Sequence, residues 1–322
     1  MRTTKELQKK LNEIFDNKNY LSEPIDLYEP IQYSMSQGGK RLRPLLALMA
    51  NSVFDGDLSM VEKPAIGLEI FHNFTLLHDD IMDHAPIRRG KPSVYKKWDI
   101  NTAILSGDTM FVLAYDYVTH SNPKFLIDVL SVFNQTAREV CEGQQYDMNY
   151  ETQERISLDD YIEMIRLKTA VLIAAALKIG AITAKASPED AQNMYDFGIN
   201  IGLAFQLRDD LLDAFGKQDV FGKPIGNDII TNKKTYLYIM AYNRANERQC
   251  KVLDAAYTKD NKSEKVAEVM KIYKELNIRE ATEKMIEYYH QKSLVFLDAV
   301  SVPQENKEEL YKFAKGLSLR EV

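Results

Sequence analysis

Residues 187–216 read SPEDAQNMYDFGINIGLAFQLRDDLLDAFG and carry the signals of a long helix. Ser187 suits the N-cap, Pro188 suits the first helical position, and two acidic residues follow in the first turn. Apolar residues then recur without a proline as far as Gly216. The stretch therefore predicts one uninterrupted helix that ends in an acidic segment.

Similar signals recur along the chain. Ser157 and Asp160 form a predicted capping box, and an apolar-periodic stretch follows it. Further helices are predicted over residues 3–17, 40–54, 63–83, 97–119, 122–150, 157–184, 232–257, 263–275, 278–299 and 303–316. Alternating strand patterns bounded by Asn-Gly or Asp-Gly turns are missing. We therefore predict one all-α domain over residues 1–322, built as a large helical bundle of ten or more helices.

Composition excludes several classes of protein. The 322 residues include 41 basic and 47 acidic side chains, for a net charge of -6, which argues against nucleic acid as a partner. No apolar run reaches the length of a membrane span, and the charged N-terminus does not resemble a signal peptide. Two cysteines, Cys141 and Cys250, exclude a disulfide framework and suit a reducing compartment. We expect a cytoplasmic protein.

Two acidic motifs end long apolar helices, LLHDDIMD at 76–83 and FQLRDDLLD at 205–213. The first and last Asp of each DDxxD share a helix face, where like charges repel by a few tenths of a kcal/mol. A bound cation would reverse this penalty, and hard oxygen ligands without nearby His or Cys suit Mg²⁺. The alternative for either copy alone is a solvated acidic face. Two copies, each in an apolar helix before a basic loop, favour a metal site.

The middle acids of the motifs have a different orientation. Asp80 and Asp210 lie about 100° around the helix from their neighbours, so they suit acceptors that support the site better than direct ligands.

Basic residues follow both acidic motifs in the sequence, Arg88 and Arg89 after the first and several lysines after the second. GGKRLRP at 38–44 precedes a predicted helix, and Lys168 lies in an apolar helix, where an unpaired charge is costly. Each cation alone fits a surface position. Together with the acids, they fit a diphosphate bridged by metal ions. These cations are Lys40, Arg43, Arg88, Arg89, Lys168, Lys223, Lys233 and Lys234.

The motifs together resemble those of the trans-isoprenyl diphosphate synthases of the polyprenyl synthetase family. They occur in the family's order over residues 38–234: GGKRLRP at 38–44, LLHDDIMD at 76–83, RRG at 88–90, KTA at 168–170, FQLRDDLLD at 205–213 and GKPIGND at 222–228. The resemblance implies a helical bundle around a central cavity, usually a homodimer. It also implies that isopentenyl diphosphate is joined to an allylic diphosphate with the help of three Mg²⁺ ions per active site.

The same resemblance implies roles for single residues. The metal ions would be ligated by Asp79, Asp83 and Asp209, supported by Asp210 and Asp213. The allylic diphosphate would be contacted by Arg88, Lys168 and Lys233, with Lys223 close by. The isopentenyl diphosphate would be bound by Lys40, Arg43, His72 and Arg89. Oxygen atoms facing the allylic cation would come from the neighbourhood of Lys168, Thr169 and Gln206.

Residues before the first motif would set the product length. Phe74 and Phe71 lie about 7.5 and 12 Å before Asp79 along a helix, and Thr75 follows Phe74. In the family, a large side chain at the fifth position before the motif shortens the product tunnel. The resemblance implies geranylgeranyl diphosphate as the product, with farnesyl diphosphate as the next candidate. The alternative for both phenylalanines is ordinary core packing.

Two other functions share part of this pattern. A terpene cyclase would need the first acidic motif, but it needs no second diphosphate site, and its second metal motif normally mixes Asn, Ser or Thr with an acid. A non-catalytic helical subunit would usually lack some of the acids or cations. The second DDxxD and GGKRLRP favour the condensing enzyme over both.

Overall fold

The computed structural model describes residues 2–216 and 226–318, and this part of the chain is almost wholly helical. Its helices are α1 Thr4–Asp16, α2 Ile25–Ser36, α3 Leu42–Val53, α4 Leu58–Met82, α5 Val94–Lys97, α6 Ile100–Thr119, α7 Leu126–Thr152, α8 Leu158–Ile165, α9 Val171–Thr183, α10 Pro188–Phe215, α11 Asn227–Ile230, α12 Tyr236–Arg244, α13 Glu247–Tyr257, α14 Lys262–Glu275, α15 Ile278–Ala299 and α16 Gln304–Ser318. The prediction of an all-α fold is confirmed. Over the described ranges, none of these helices combines the length and apolarity that a membrane crossing requires.

Polar caps fix the predicted starts of several helices. The Ser157 hydroxyl and the Asp160 side chain form the predicted capping box at the start of α8. At the start of α10, the Ser187 hydroxyl accepts a hydrogen bond from the Asp190 amide at 3.0 Å. Thr3 and Glu6 form another capping box before α1. Local sequence therefore determines where these helices begin.

Two predicted boundaries differ from the structure, and one of the longer helices was not predicted. The helix predicted over 232–257 is wrong: Ala245 is extended, and Asn246 starts α13 with its own capping box. The helix predicted to start at or near Lys63 begins at Leu58, after an Asp57 cap that accepts from the Ser59 amide at 2.9 Å. The helix that was not predicted is α2, whose interior contains Pro30, a residue without a backbone donor.

A short hairpin lies in the loop predicted over 84–96. Strands β1 Ile87–Arg88 and β2 Lys91–Pro92 pair antiparallel. Arg89 and Gly90 between them have φ values of 51° and 75°, as a two-residue hairpin turn requires. This turn fixes the backbone next to Arg88 and Arg89. The loop predicted over 216–231 falls largely outside the described residues, which resume at Gly226, just before α11.

The chain divides into two compact units. The first contains Met1–Gln135, Ala175–Met194 and Ser301–Glu309. Within it, α4 packs against α3 and α6, and α4 brings the first acidic motif to its C-terminal end. A fully buried core surrounds α4, including Leu46, Ile66 and Phe71 at 0–1% exposure.

The second unit contains Thr136–Ala174, Tyr195–Val300 and Leu310–Val322. Its core includes residues of α8, α10, α12 and α14, such as Leu207, Tyr236 and Tyr273. A π-helical turn at Arg166–Ala170 joins α8 to α9. The assignment of the whole chain to one domain stays a prediction.

Candidate active site

The first acidic motif lies at the C-terminal end of α4. Asp79 is partly exposed, and Asp83 is exposed at the helix C-cap, where its amide donates to the Asp79 carbonyl at 2.8 Å. Asp80 is only 3% exposed, and its Oδ1 accepts from Arg88 Nε at 2.9 Å and Nη2 at 2.5 Å. Burial raises the pKa of Asp80, and the Arg88 guanidinium opposes this shift. Asp80 is therefore an acceptor for Arg88, and its support of a metal site stays a prediction.

The second acidic motif, at the end of α10, repeats this arrangement. Asp210 is buried: the Tyr161 hydroxyl donates to its Oδ2, and Gln206 Nε2 donates to its Oδ1 at 3.1 Å. Burial, and then the nearby charge of Asp228, raises the pKa of Asp210 to about 8. Asp213 Oδ2 accepts from the Asp228 amide at 3.0 Å and so holds the start of α11. The middle acid of each motif is thus bound by the protein itself.

A π-helical turn presents Lys168 and Thr169. A Cβ added to Gly143 of α7 would lie 2.4 Å from the Lys168 backbone nitrogen, so glycine allows α7 to approach this turn closely. Lys168 Nζ forms an ion pair with Asp147 Oδ2 at 2.5 Å, which confirms that this lysine is paired. The Thr169 hydroxyl donates to Gln206 Oε1 at 3.1 Å. The three predicted catalytic residues therefore meet in the second unit.

These side chains line one pocket of the second unit. Its polar lining includes Lys168, Thr169, Gln206, Asp210, Lys233 and Lys234. Asp147 and Tyr161 also line it, and sequence reasoning missed both. Asp147 lies among other polar residues of α7 and Tyr161 lies in an ordinary apolar pattern, so only the folded chain reveals their partners. The predicted contact residue Lys223 lies outside the described residues.

A second group of basic residues lies in the first unit. Arg43 Nη1 lies 3.1 Å from His72 Nε2, and Arg89 Nη1 donates to the Gly38 carbonyl. Burial, followed by the charges of Arg43 and Arg89, lowers the pKa of His72 well below its usual value. A neutral His72 therefore accepts the Arg43 hydrogen bond through Nε2.

The two glycines before Lys40 accommodate this group. Gly39 has φ +131°, and a Cβ added there would lie 2.9 Å from Arg89 Cζ. Lys40 itself is exposed at the end of the same segment. The structure therefore brings Arg43, His72 and Arg89 together.

Glu69 is an acid of this region that the sequence did not single out. It is 3% exposed on α4, and its Oε1 accepts from Asn73 Nδ2 at 3.3 Å. Burial raises the pKa of Glu69, whereas the charges of Arg43 and Arg89 oppose that shift. The only indication in the sequence that Glu69 belongs to this group is its position three residues before His72, on the same helix face.

The predicted chain-length residues lie in an aromatic cluster of the first unit. Phe71 is fully buried, with its ring centroid 5.4 Å from that of Phe133. Phe74 is partly exposed, with its centroid 5.2 Å from that of Phe111. The Thr75 hydroxyl donates to the His72 carbonyl at 2.8 Å, so it supports the helix locally. The core interpretation fits Phe71 better than Phe74.

No group of three or more His, Cys, Asp or Glu within residues 2–216 and 226–318 forms a metal cage. In the first unit, the first motif has a carboxylate beside Arg88, and in the second unit Asp210 lines the pocket with Lys168 and Lys233. Such a donor set fits Mg²⁺, which is usually held by one or two carboxylates together with substrate phosphate oxygens.

The chain belongs to the polyprenyl synthetase family, whose model matches residues 25–276. Members of this family join isopentenyl diphosphate to allylic diphosphates with the help of a divalent metal, so the protein is a prenyltransferase. A geranylgeranyl diphosphate synthase of Methanosarcina mazei is 40% identical over 70% of this chain and 70% of its own. A geranylfarnesyl diphosphate synthase of Natronomonas pharaonis is 37% identical over 72% of this chain and 73% of its own.

Solved structures agree with this assignment. The crystal structure of a geranylgeranyl pyrophosphate synthase superposes with a TM-score of 0.94 at 42% identity, and the match covers 100% of both chains. The family and the isoprenoid-synthase fold implied by the sequence motifs are therefore confirmed.

The state of His72 leads to a prediction about stability. Its lowered pKa means that, below about pH 6.5, the unfolded chain binds a proton that the folded chain excludes. The free energy of unfolding should therefore fall with decreasing pH from 6.5 to 5, by at most about 1.4 kcal/mol per pH unit for this group. In His72→Gln, the free energy of unfolding measured with urea should depend less on pH between 6.5 and 5. The exposed His120 provides the control His120→Gln, and parallel profiles for wild type and His72→Gln would contradict the assignment.

Proposed function

We propose that this prenyltransferase makes geranylgeranyl diphosphate, with farnesyl diphosphate as the second candidate. One observation carries the two-substrate reaction: the first unit holds an Arg43–His72–Arg89 group, and the second unit holds a separate pocket with Lys168. Two cationic sites are what two diphosphate substrates require. A terpene cyclase needs only one, so this arrangement favours condensation.

The residues take the roles that their contacts support. Asp79, Asp83 and Asp209 would ligate Mg²⁺, three ions per site, with Asp210 and Asp213 held in supporting positions by their own hydrogen bonds. The bound metal would supply positive charge that stabilises the departing diphosphate. Arg88, Lys168 and Lys233 would contact that diphosphate, and Lys223 would lie nearby.

No covalent bond forms between the protein and the substrates in this reaction. The allylic carbon–oxygen bond breaks, and diphosphate leaves with the electron pair. The double bond of isopentenyl diphosphate attacks the allylic cation, a carbon–carbon bond forms, and a proton passes to the released diphosphate. Lys168 would bind the departing anion, while oxygens of Thr169 and Gln206 would stabilise the cation. Lys40, Arg43, His72 and Arg89 would hold the isopentenyl diphosphate in place.

We also propose that the enzyme is a cytoplasmic homodimer. Leu105 and Val112, seven residues apart on one face of α6, are 58% and 65% exposed, which suits a covered apolar surface. Two free cysteines suit a reducing compartment. Light scattering should give twice the 37.0 kDa chain mass, and a monomer mass would contradict the dimer.

An elongation assay tests the reaction. The purified chain should convert isopentenyl diphosphate and geranyl or farnesyl diphosphate into longer prenyl diphosphates in the presence of MgCl₂. Asp79→Ala should reduce turnover at least about a hundredfold, because a metal ligand that stabilises the leaving group is lost. Asp128→Asn, at an exposed acid of α7, is the control and should keep wild-type activity.

The outcomes of this assay separate the candidate functions. A cyclic hydrocarbon from the allylic substrate alone would indicate a cyclase, and a folded chain without turnover would indicate a non-catalytic subunit. Activity of Asp79→Ala within tenfold of wild type would show that the metal assignment is wrong.

Phe74 tests the product length. Its ring packs against Phe111 and, at 4.8 Å between centroids, against His78. Phe74→Ala removes this bulk, so the largest product should lengthen by at least one five-carbon unit in chromatographic analysis. Phe313→Ala, at a partly exposed aromatic outside the cluster, should leave the product unchanged. An unaltered product distribution from a folded Phe74→Ala enzyme would show that Phe74 is an ordinary core residue and does not set the product length.

A further inference from the structure

Lys265 is a buried cation to which no role has been assigned. It lies in the first turn of α14 and is only 4% exposed. A positive charge near a helix N-terminus is unfavourable because it meets the positive end of the helix dipole. Burial of an ammonium group adds a second cost unless the group is hydrogen-bonded. Contacts outside α14 must therefore compensate for this placement.

Those contacts go to the segment that precedes α12. Lys265 Nζ donates to the Ile230 carbonyl at 3.2 Å and to Asn232 Oδ1. Both acceptors are uncharged, and no carboxylate in the described ranges pairs with Lys265. Burial lowers the pKa of Lys265. The ammonium group thus acts as a hydrogen-bond donor to this segment.

The backbone of this segment is unusual at the contacted residue. Asn232 has φ 60°, in the left-handed region that Asn tolerates better than most residues. The next amide, of Lys233, donates to the Asp228 carbonyl at 2.9 Å. The Lys265 contact therefore holds the residue at which the chain turns from α11 towards Lys233.

A second lysine fixes the other end of the same segment. Lys234 Nζ donates to the carbonyls of Tyr150 and Glu151, at 2.8 and 3.1 Å, at the C-terminal end of α7. A cation at a helix C-terminus is favourable. Lys234 and Lys233 both line the pocket with Lys168. The Lys234 ammonium is engaged with α7, and Lys233 lies between the two anchors.

We propose that Lys265 is a positioning residue that holds the Asn232–Lys233 segment in the conformation that presents Lys233 to the diphosphate of the allylic substrate. The proposal rests on the proposed function for the identity of that substrate. Lys265 does not touch the pocket itself and acts through Asn232.

Lys265→Met tests this role because it keeps the apolar stem and removes the donor. We expect the KM for geranyl diphosphate to rise at least about tenfold, while the KM for isopentenyl diphosphate stays within about twofold. Isothermal titration of inorganic diphosphate in MgCl₂ should show a similar tenfold loss of affinity without any turnover. Lys271→Met, at an exposed lysine of the same helix, should match wild type in all three.

Asn232→Gly tests the same contact from the other side. Glycine tolerates the left-handed backbone and removes the whole Asn232 side chain, which accepts from Lys265 and also lines the pocket, so the comparison with the double variant isolates the shared contact. It should reproduce the loss of diphosphate affinity, and the double variant should lose no more than the larger single effect, because both act through one hydrogen bond. This variant also decides the question if Lys265→Met does not fold.

Two results would overturn the proposal. One is a folded Lys265→Met or Asn232→Gly chain that binds inorganic diphosphate within twofold of wild type, which would leave Lys265 with a packing role only. The other is an equal rise of both KM values. A wild-type protein that binds inorganic diphosphate but forms no longer prenyl diphosphate would instead count against the proposed function. The comparison of diphosphate affinity between wild type and the variants would still test the role of Lys265.

Discussion

Carboxylates lie at the C-terminal ends of α4 and α10, where the negative end of each helix dipole makes a negative charge unfavourable. The function of both acidic motifs depends on the groups that compensate for this placement. The protein compensates the middle acid of each motif itself. Arg88 donates to Asp80, and Tyr161 and Gln206 donate to Asp210. The outer acids would then meet the metal ions and, through them, the substrate diphosphate. Charge balance thus assigns different tasks to neighbouring aspartates.

Compensation by fixed partners also explains how the cations are held. Lys168 is paired with Asp147, Arg43 is bound by a neutral His72, and Arg89 is held by the Gly38 carbonyl. Each partner comes from a different helix or loop, which fixes the direction of a long, flexible side chain. Such preorganised cations can stabilise a diphosphate without reorganising during the reaction. The left-handed Asn232, held by the buried Lys265, extends this principle to the backbone that carries Lys233.

Much of the fold follows from local sequence. The Ser157 and Ser187 caps, the apolar period and the scarcity of turn residues predicted the helices, and the DDxxD spacing predicted which acids share a face. Where the predicted helices differ from the observed ones, a specific residue accounts for the difference. Pro30 is tolerated inside α2, and Asn246 begins a new helix with its own cap where one long helix was expected.

The partners of the site residues could not be predicted in this way. Asp147, Tyr161 and Lys265 carry no motif, and each gains its role from a residue distant in sequence. A helical period indicates that a residue is buried, but it does not identify the polar atom that residue meets. The π-helical turn at Lys168, which lies close to Gly143 of α7, likewise has no local signal in the sequence.

The most direct measurement of the central claim is the thermal unfolding midpoint with MgCl₂ alone, inorganic diphosphate alone, and both together. The acids should repel diphosphate unless a cation neutralises them, so either ligand alone should change the midpoint little. Both together, at about a hundred times the dissociation constant, should stabilise the fold by about 2.7 kcal/mol. That corresponds to a rise of roughly 5 °C. A midpoint that diphosphate alone raises as far as the mixture does would contradict the account.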